Sequence, residues 1–184
     1  MDILAAFGLS ASAGLNAYIP LLIVSILAKF TNLIELSEPW SALESWWIIG
    51  LLAALSVVEF FADKVPAVNH VNDAIQTFIR PTAGAILFAA SAKVITDIHP
   101  IISIAAGLLV AGTVHVIKSA AVRPAITATT AGLGDVPVSI AEDVVSTTLS
   151  IISVVLPVLV GIVLILKAIW IMWWLSKRSM KSNS

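Results

Sequence analysis

The chain has 184 residues, 59% hydrophobic and 11% charged, with a mean hydropathy of +1.05 and a formal net charge of -1 at pH 7. An ordinary soluble domain is about 25% charged, so water is not this chain's solvent, and a charge near zero gives no reason to expect nucleic acid as a partner. Cysteine is absent, which excludes disulfides, thiolate metal sites and cysteine nucleophiles.

Several windows reach the about 20 apolar residues that a helix needs to cross a hydrocarbon core. Without water to satisfy backbone groups, such windows are helices. The expected fold is therefore all-α integral membrane: a single domain of about five transmembrane helices with interrupted or re-entrant connectors, in contact with the lipid bilayer. The first span covers 3–28; it lacks a basic leader and stays apolar past its small residues, so it reads as a retained helix rather than a cleaved signal. TNLIELSEPWSALES, with Glu35, Glu38, Pro39 and Glu44, reads as an aqueous loop. Trp46 and Trp47 open the second span, 46–62, as an interfacial belt would.

Residues 65–81 are too polar for a span but carry Val65, Val68, Ile75 and Ile79 on one side, which predicts a short interfacial or re-entrant helix. The third span, 82–95, closes on Lys93 and Asp97; the fourth, 101–117, opens after Pro100 and ends among His115, Lys118 and Arg123. TATTAGLGDVPVS then interrupts the helix. The fifth span, 140–170, is too long for one straight crossing and ends on Trp170, Trp173 and Trp174. The basic tail, 176–184, favours a cytoplasmic C-terminus and a multi-pass place in the cell inner membrane. Lys64, Arg80, Lys118 and Arg123 would then fall on the opposite side, so their burial beside acids is expected instead.

An internal echo joins GLLAALSVVEFFADKVPAV to GLLVAGTVHVIKSAAVRPAI: each is an apolar helix that turns charged in its last turns before Pro66 or Pro124. Interrupted helices in repeated halves point to a transporter site. Glu59 and Asp63 share a helix face, His115 and Lys118 stack with Ser119 beside them, Ser12 and Asn16 share a face, and Ser139, Asp143, Ser146 and Ser150 form a stripe beside Glu142. An intramembrane charge costs about 2.5–3.5 kcal/mol on insertion scales, so Glu59, Asp63 and Lys64 are expected in a polar pocket or buried ion-pair network, with Glu59 and His115 in one site. TTAGLGD, ending on Asp135, offers backbone carbonyls to a cation or amides to an anion but lacks a P-loop ending. HExxH and G-x-S-x-G are absent, and no enzyme is expected. Gly8, Ser10, Ser12 and Gly14 allow close helix contact, and a thin bundle with such a seam predicts a homo-oligomer.

SASAGLNAYIPLL, E-x-x-A-D-K-x-P (59–66), R-P-x-A-G (80–84), H-x-x-K (115–118) followed by Arg123-Pro124, and T-T-A-G-L-G before S-x-x-E-D (139–143) resemble the small bacterial membrane proteins of the domain of unknown function 4126 family. The resemblance spans nearly the whole chain. It implies a polytopic membrane protein and highlights these residues without naming a substrate.

The expected function is transport or channelling of a small ion, a divalent cation or a proton-coupled cation. Glu59, Asp63, Glu142, Asp143, Asp135 and Asn16 would line the path, with His115 as proton carrier or ligand and Lys64, Arg80, Lys118 and Arg123 as counter-charges. Glu59, Asp63, His115 and Asp143 supply the oxygen and imidazole groups suited to a bound divalent cation. The alternatives are an anionic solute or lipid headgroup held by the cations, and a non-transporting membrane scaffold.

Overall fold

The computed structural model describes residues 3–64, 66–92, 99–156 and 170, and of 66–71 and 92 the backbone only. Among them the protein is all-helical: α1 Ile3–Leu15, α2 Tyr18–Phe30, α3 Trp46–Ala62, α4 Pro66–Ala92, α5 Pro100–Ile117, α6 Arg123–Thr130 and α7 Asp135–Leu156. A 3₁₀ turn, Trp40–Glu44, precedes α3, and the Ser45 hydroxyl caps α3 by accepting from the Ile48 amide. A π turn, Lys118–Val122, joins α5 to α6, so that Pro100–Thr130 runs on for 31 residues. This helix and α7 are long and apolar enough to cross a membrane; α1, α2 and α3 are shorter apolar helices.

Three expected boundaries are corrected. The first span is two helices, broken at Asn16 and Ala17, because the Asn16 carboxamide takes the Tyr18 and Ile19 amides that would otherwise continue α1. The connector 65–81 and the third span form one helix, α4, with Pro81 inside it. One side of its polar half faces inward: Gln76 and Arg80 are buried. Pro124 does not end the fourth span, because it falls in the first turn of α6, where a missing amide costs nothing. The interruption at 131–134 is present, with Ala131 (φ 51°) and Gly132 (φ 84°) in the left-handed region, and α7 starts at Asp135, ahead of the expected 140. Lys93, Asp97, the later part of the fifth span, Trp173, Trp174 and the tail lie outside the described residues.

Small residues set the packing. Gly84 of α4 and Gly107 of α5 meet backbone to backbone: a Cβ on Gly107 would lie 2.3 Å from the Gly84 carbonyl oxygen. From α1, Ser10 donates to that same carbonyl at 2.9 Å, and Gly14 lies against Ala111 and Val114. Ser12 hydrogen-bonds the Ser146 and Ser150 hydroxyls of α7 at 2.8 and 2.6 Å. The small face of α1 is thus used within the bundle.

Polarity runs from inside to outside in reverse of a soluble protein. Trp47 is 90% exposed, Phe78 78% and Leu4 74%, whereas Glu59 is 2% exposed and Arg80 fully buried.

Candidate functional site

The break between α1 and α2 begins the site. Asn16 Oδ1 accepts from the Tyr18 and Ile19 amides at 3.2 and 3.1 Å. In an unbroken helix the Ile19 amide would bond the Leu15 carbonyl. Freed by the break, that carbonyl accepts from Lys118 Nζ at 2.8 Å. The other end of the same carboxamide donates to Asp143 Oδ1 of α7 at 3.0 Å. One residue therefore opens the helix, supplies a carbonyl to a buried lysine and orients a carboxylate. Asn16→Ala leaves two amides and Asp143 Oδ1 short of partners. It is expected to lower stability by about 1–3 kcal/mol, read as a lower melting temperature in detergent; an unchanged melting curve would refute this role.

The π turn brings two cations to one side. In an α-helix five residues turn through about 500°, which would leave Lys118 and Arg123 about 140° apart. The Arg123 amide instead bonds the Lys118 carbonyl, an i→i+5 turn that returns both side chains to the same face. Both reach Glu142 Oε2, Lys118 at 2.8 Å and Arg123 at 3.0 Å. Both also face Asp63 Oδ2 at the end of α3, at 3.8 and 2.9 Å, where Arg80 Nη2 approaches to 3.6 Å. Asn72 donates to the other Asp63 oxygen at 2.5 Å. Lys64 closes the outer side, pairing with Asp143 Oδ2 at 3.0 Å while lying over the Phe60 ring.

Arg80 links the two helices whose likeness the sequence showed. Its Nη2 bonds Glu59 Oε1 of α3 at 2.9 Å, and its Nη1 lies 3.3 Å from His115 Nδ1 of α5. A guanidinium only donates, so Nδ1 accepts. Nε2 then carries the ring proton toward Thr77 Oγ1 at 3.1 Å, and the Thr77 hydroxyl passes its own proton to the Asp73 carbonyl at 2.9 Å. This assignment, made from hydrogen-bond roles, leaves His115 neutral with both nitrogens engaged.

Beside the network lies an open cavity of about 780 Å³ lined by Asp73, Ser119, Arg123, Thr127, Gly132 and Asp135 among others. Arg123 joins the two: its Nη1 bonds Asp73 Oδ2 at 3.3 Å on the cavity side, while Nη2 holds Asp63 and Glu142 within.

The structure brings together Asn16, Glu59, Asp63, Lys64, Arg80, His115, Lys118, Arg123, Glu142 and Asp143. Asp135 stands apart in the cavity wall, accepting from Thr127 Oγ1 at 2.7 Å. The expected metal set is not assembled. Among the described residues no three His, Asp or Glu side chains are disposed to hold a metal ion, and Glu59, Asp63, His115 and Asp143 bond Arg80, Arg123, Thr77 and Lys64 respectively. Asp73, Asn72, Thr77, Gln76 and Tyr18 were missing from the expected site. The spacing of 72, 73, 76, 77 and 80 is itself one helix face and could have shown four of the five.

No curated protein and no solved structure matches the chain. A family model described as a domain of unknown function, number 4126, matches residues 3–178. With nearly every residue covered, and with the matched region holding both the helix break and the charge network, the chain belongs to the domain of unknown function 4126 family.

Proposed function

We propose that the chain is a multi-pass protein of the inner membrane that moves a small cation, coupled to protons, through the buried charge network. The observation that carries this reading is the meeting of cavity and network at Arg123. A cavity of about 780 Å³ reaches Arg123, which also binds Asp63 and Glu142 inside. The reversed polarity supports the membrane: outward-facing Trp, Phe and Leu side chains suit lipid, and buried charges in such a bundle mark ion paths and proton relays.

The pairing favours a cationic solute. Glu59, Asp63, Asp73, Glu142 and Asp143 face Lys64, Arg80, Lys118 and Arg123, which leaves one carboxylate in excess among the described residues. Arg123, the cation in the cavity wall, is already held by three acids. An anionic solute or lipid headgroup would have to break those pairs. A proton or a monovalent cation adds the charge that the network lacks, and among the described residues Glu59, Asp63, His115 and Asp143 are each engaged with Arg80, Arg123, Thr77 and Lys64 instead of grouped about a metal.

The test is flux in proteoliposomes carrying an internal pH dye. An imposed sodium or potassium gradient is expected to move protons, and Glu59→Gln to abolish that movement. Phosphate or carboxylate flux that survives without a cation gradient would overturn the proposal in favour of an anion carrier. No flux of either sign from folded protein would favour a scaffold.

A further inference from the structure

The excess carboxylate has an address. Asp63 faces three cations and Glu142 two. Asp143 has both oxygens bonded, one to Asn16 and one to Lys64. Asp73 holds Arg123 through both oxygens and opens onto the cavity, its side chain 19% exposed. Glu59 differs from all of these: it is 2% exposed, and among the described residues its only ion pair is with Arg80, which it shares with Asp63, and its Oε2 has no hydrogen-bond partner. A buried carboxylate oxygen with no donor loses the full cost of its desolvation.

A second orphan lies nearby. Gln76 sits one helical turn before Arg80 on α4, is 2% exposed, and its Oε1 is also without a partner. Gln76 lies one turn from the Arg80 whose guanidinium bonds Glu59, and Tyr18 of α2 lies beside Gln76 within the field of Glu59 and Arg80, so both orphaned acceptors belong to neighbours of Arg80. The other charges acting on Glu59 are Asp63 on its own helix and Lys118 beyond α5. Arg80 Nε is also buried without a partner, and the Tyr18 hydroxyl stands near Gln76; a hydrogen on Glu59 Oε2 given to Gln76 Oε1 would satisfy both acceptors.

We propose that Glu59 carries a proton on Oε2 and donates it to Gln76 Oε1, forming a neutral, exchangeable proton site at the inner end of the network. Glu59 Oε1 remains the acceptor for Arg80 Nη2. The remaining acids, Asp63, Asp73, Glu142 and Asp143, then balance Lys64, Arg80, Lys118 and Arg123. On loading, the Oε2–H bond forms with a proton taken from water; on release that bond breaks, the proton returns to water and Glu59 is left as a carboxylate. The site's part in transport rests on the function proposed above, but its protonation does not.

Infrared difference spectroscopy of the full chain in lipid at neutral pH reads the proton directly. A carboxylic-acid C=O stretch is expected in the wild type, displaced in heavy water, absent in Glu59→Gln, unchanged in Glu35→Gln on the exposed loop and shifted in Gln76→Leu, which removes the acceptor. A wild-type spectrum without that band overturns the proposal, as does a band that persists in Glu59→Gln. Should Glu59→Gln fail to fold, Gln76→Leu decides: an unshifted band refutes the site. A band with the expected behaviour in a protein that moves no ions upholds the proton site and removes the transport reading alone.

Discussion

Arg80→Met is expected to be the most damaging change of a single charge in this protein. Arg80 is fully buried and reaches Glu59 at 2.9 Å, His115 at 3.3 Å and Asp63 at 3.6 Å, so α3 and α5 lose a common partner at once. Removing one member of a buried pair costs about 3–5 kcal/mol, because the surviving charge stays desolvated without compensation. For a domain whose whole stability is about 5–15 kcal/mol, that is a large share. The expected result is loss of monodisperse protein on gel filtration and a sharply lower melting temperature. Pairing the change with Glu59→Leu should restore part of the loss, since matched apolar replacement of both partners removes the unpaired group. A wild-type melting temperature for Arg80→Met alone would mean that the network does not hold the helices together.

The helical class was legible because long apolar runs favour helices, and the polar stripes were legible because helical spacing puts Ser12 with Asn16 and Asp143 with Ser146 on shared faces. Those stripes do face each other, through Ser12 with Ser146 and Asn16 with Asp143. The break at Asn16 was not legible: SASAGLNAYIPLL reads as one apolar run, and the break depends on a carboxamide that finds Asp143 on a helix 127 residues away. The π turn has no mark in composition or period, because i→i+5 bonding is fixed by where Lys118 and Arg123 find Asp63 and Glu142. The continuity of α4 was obscured by its own polarity. Asn72, Asp73, Gln76 and Thr77 suggested an interface, yet three of them hydrogen-bond other elements of the site: Asn72 meets Asp63, Asp73 meets Arg123 and Thr77 meets His115. Sequence supplies the residue types and their faces; which face meets which is decided by tertiary contact.

The second large effect is expected from the smallest substitution, Gly107→Ala. Alanine is the better helix former by about 0.5–1 kcal/mol, so local propensity predicts a gain. Packing predicts the reverse. The added Cβ would meet the Gly84 carbonyl oxygen at 2.3 Å, Ala85 Cα at 2.6 Å and the Gly84 carbonyl carbon at 2.8 Å. All three are backbone atoms, so no rotamer change relieves the clash and α4 must move away from α5. That separation reaches the site, because Gly84 lies one helical turn beyond Arg80, and Gly107 leads through Ala111 to His115 in steps of four residues. Parting the helices lengthens the 3.3 Å contact between Arg80 and His115 and uncouples α5 from the network. Overpacking a core usually costs about 1–3 kcal/mol; this position should fall at or above the top of that range. Gly50→Ala is the control, since a Cβ there meets nothing within 4 Å, and it should leave the melting temperature unchanged or slightly higher. If Gly107→Ala melts like Gly50→Ala, the close crossing of α4 and α5 does not set the geometry of the charge site.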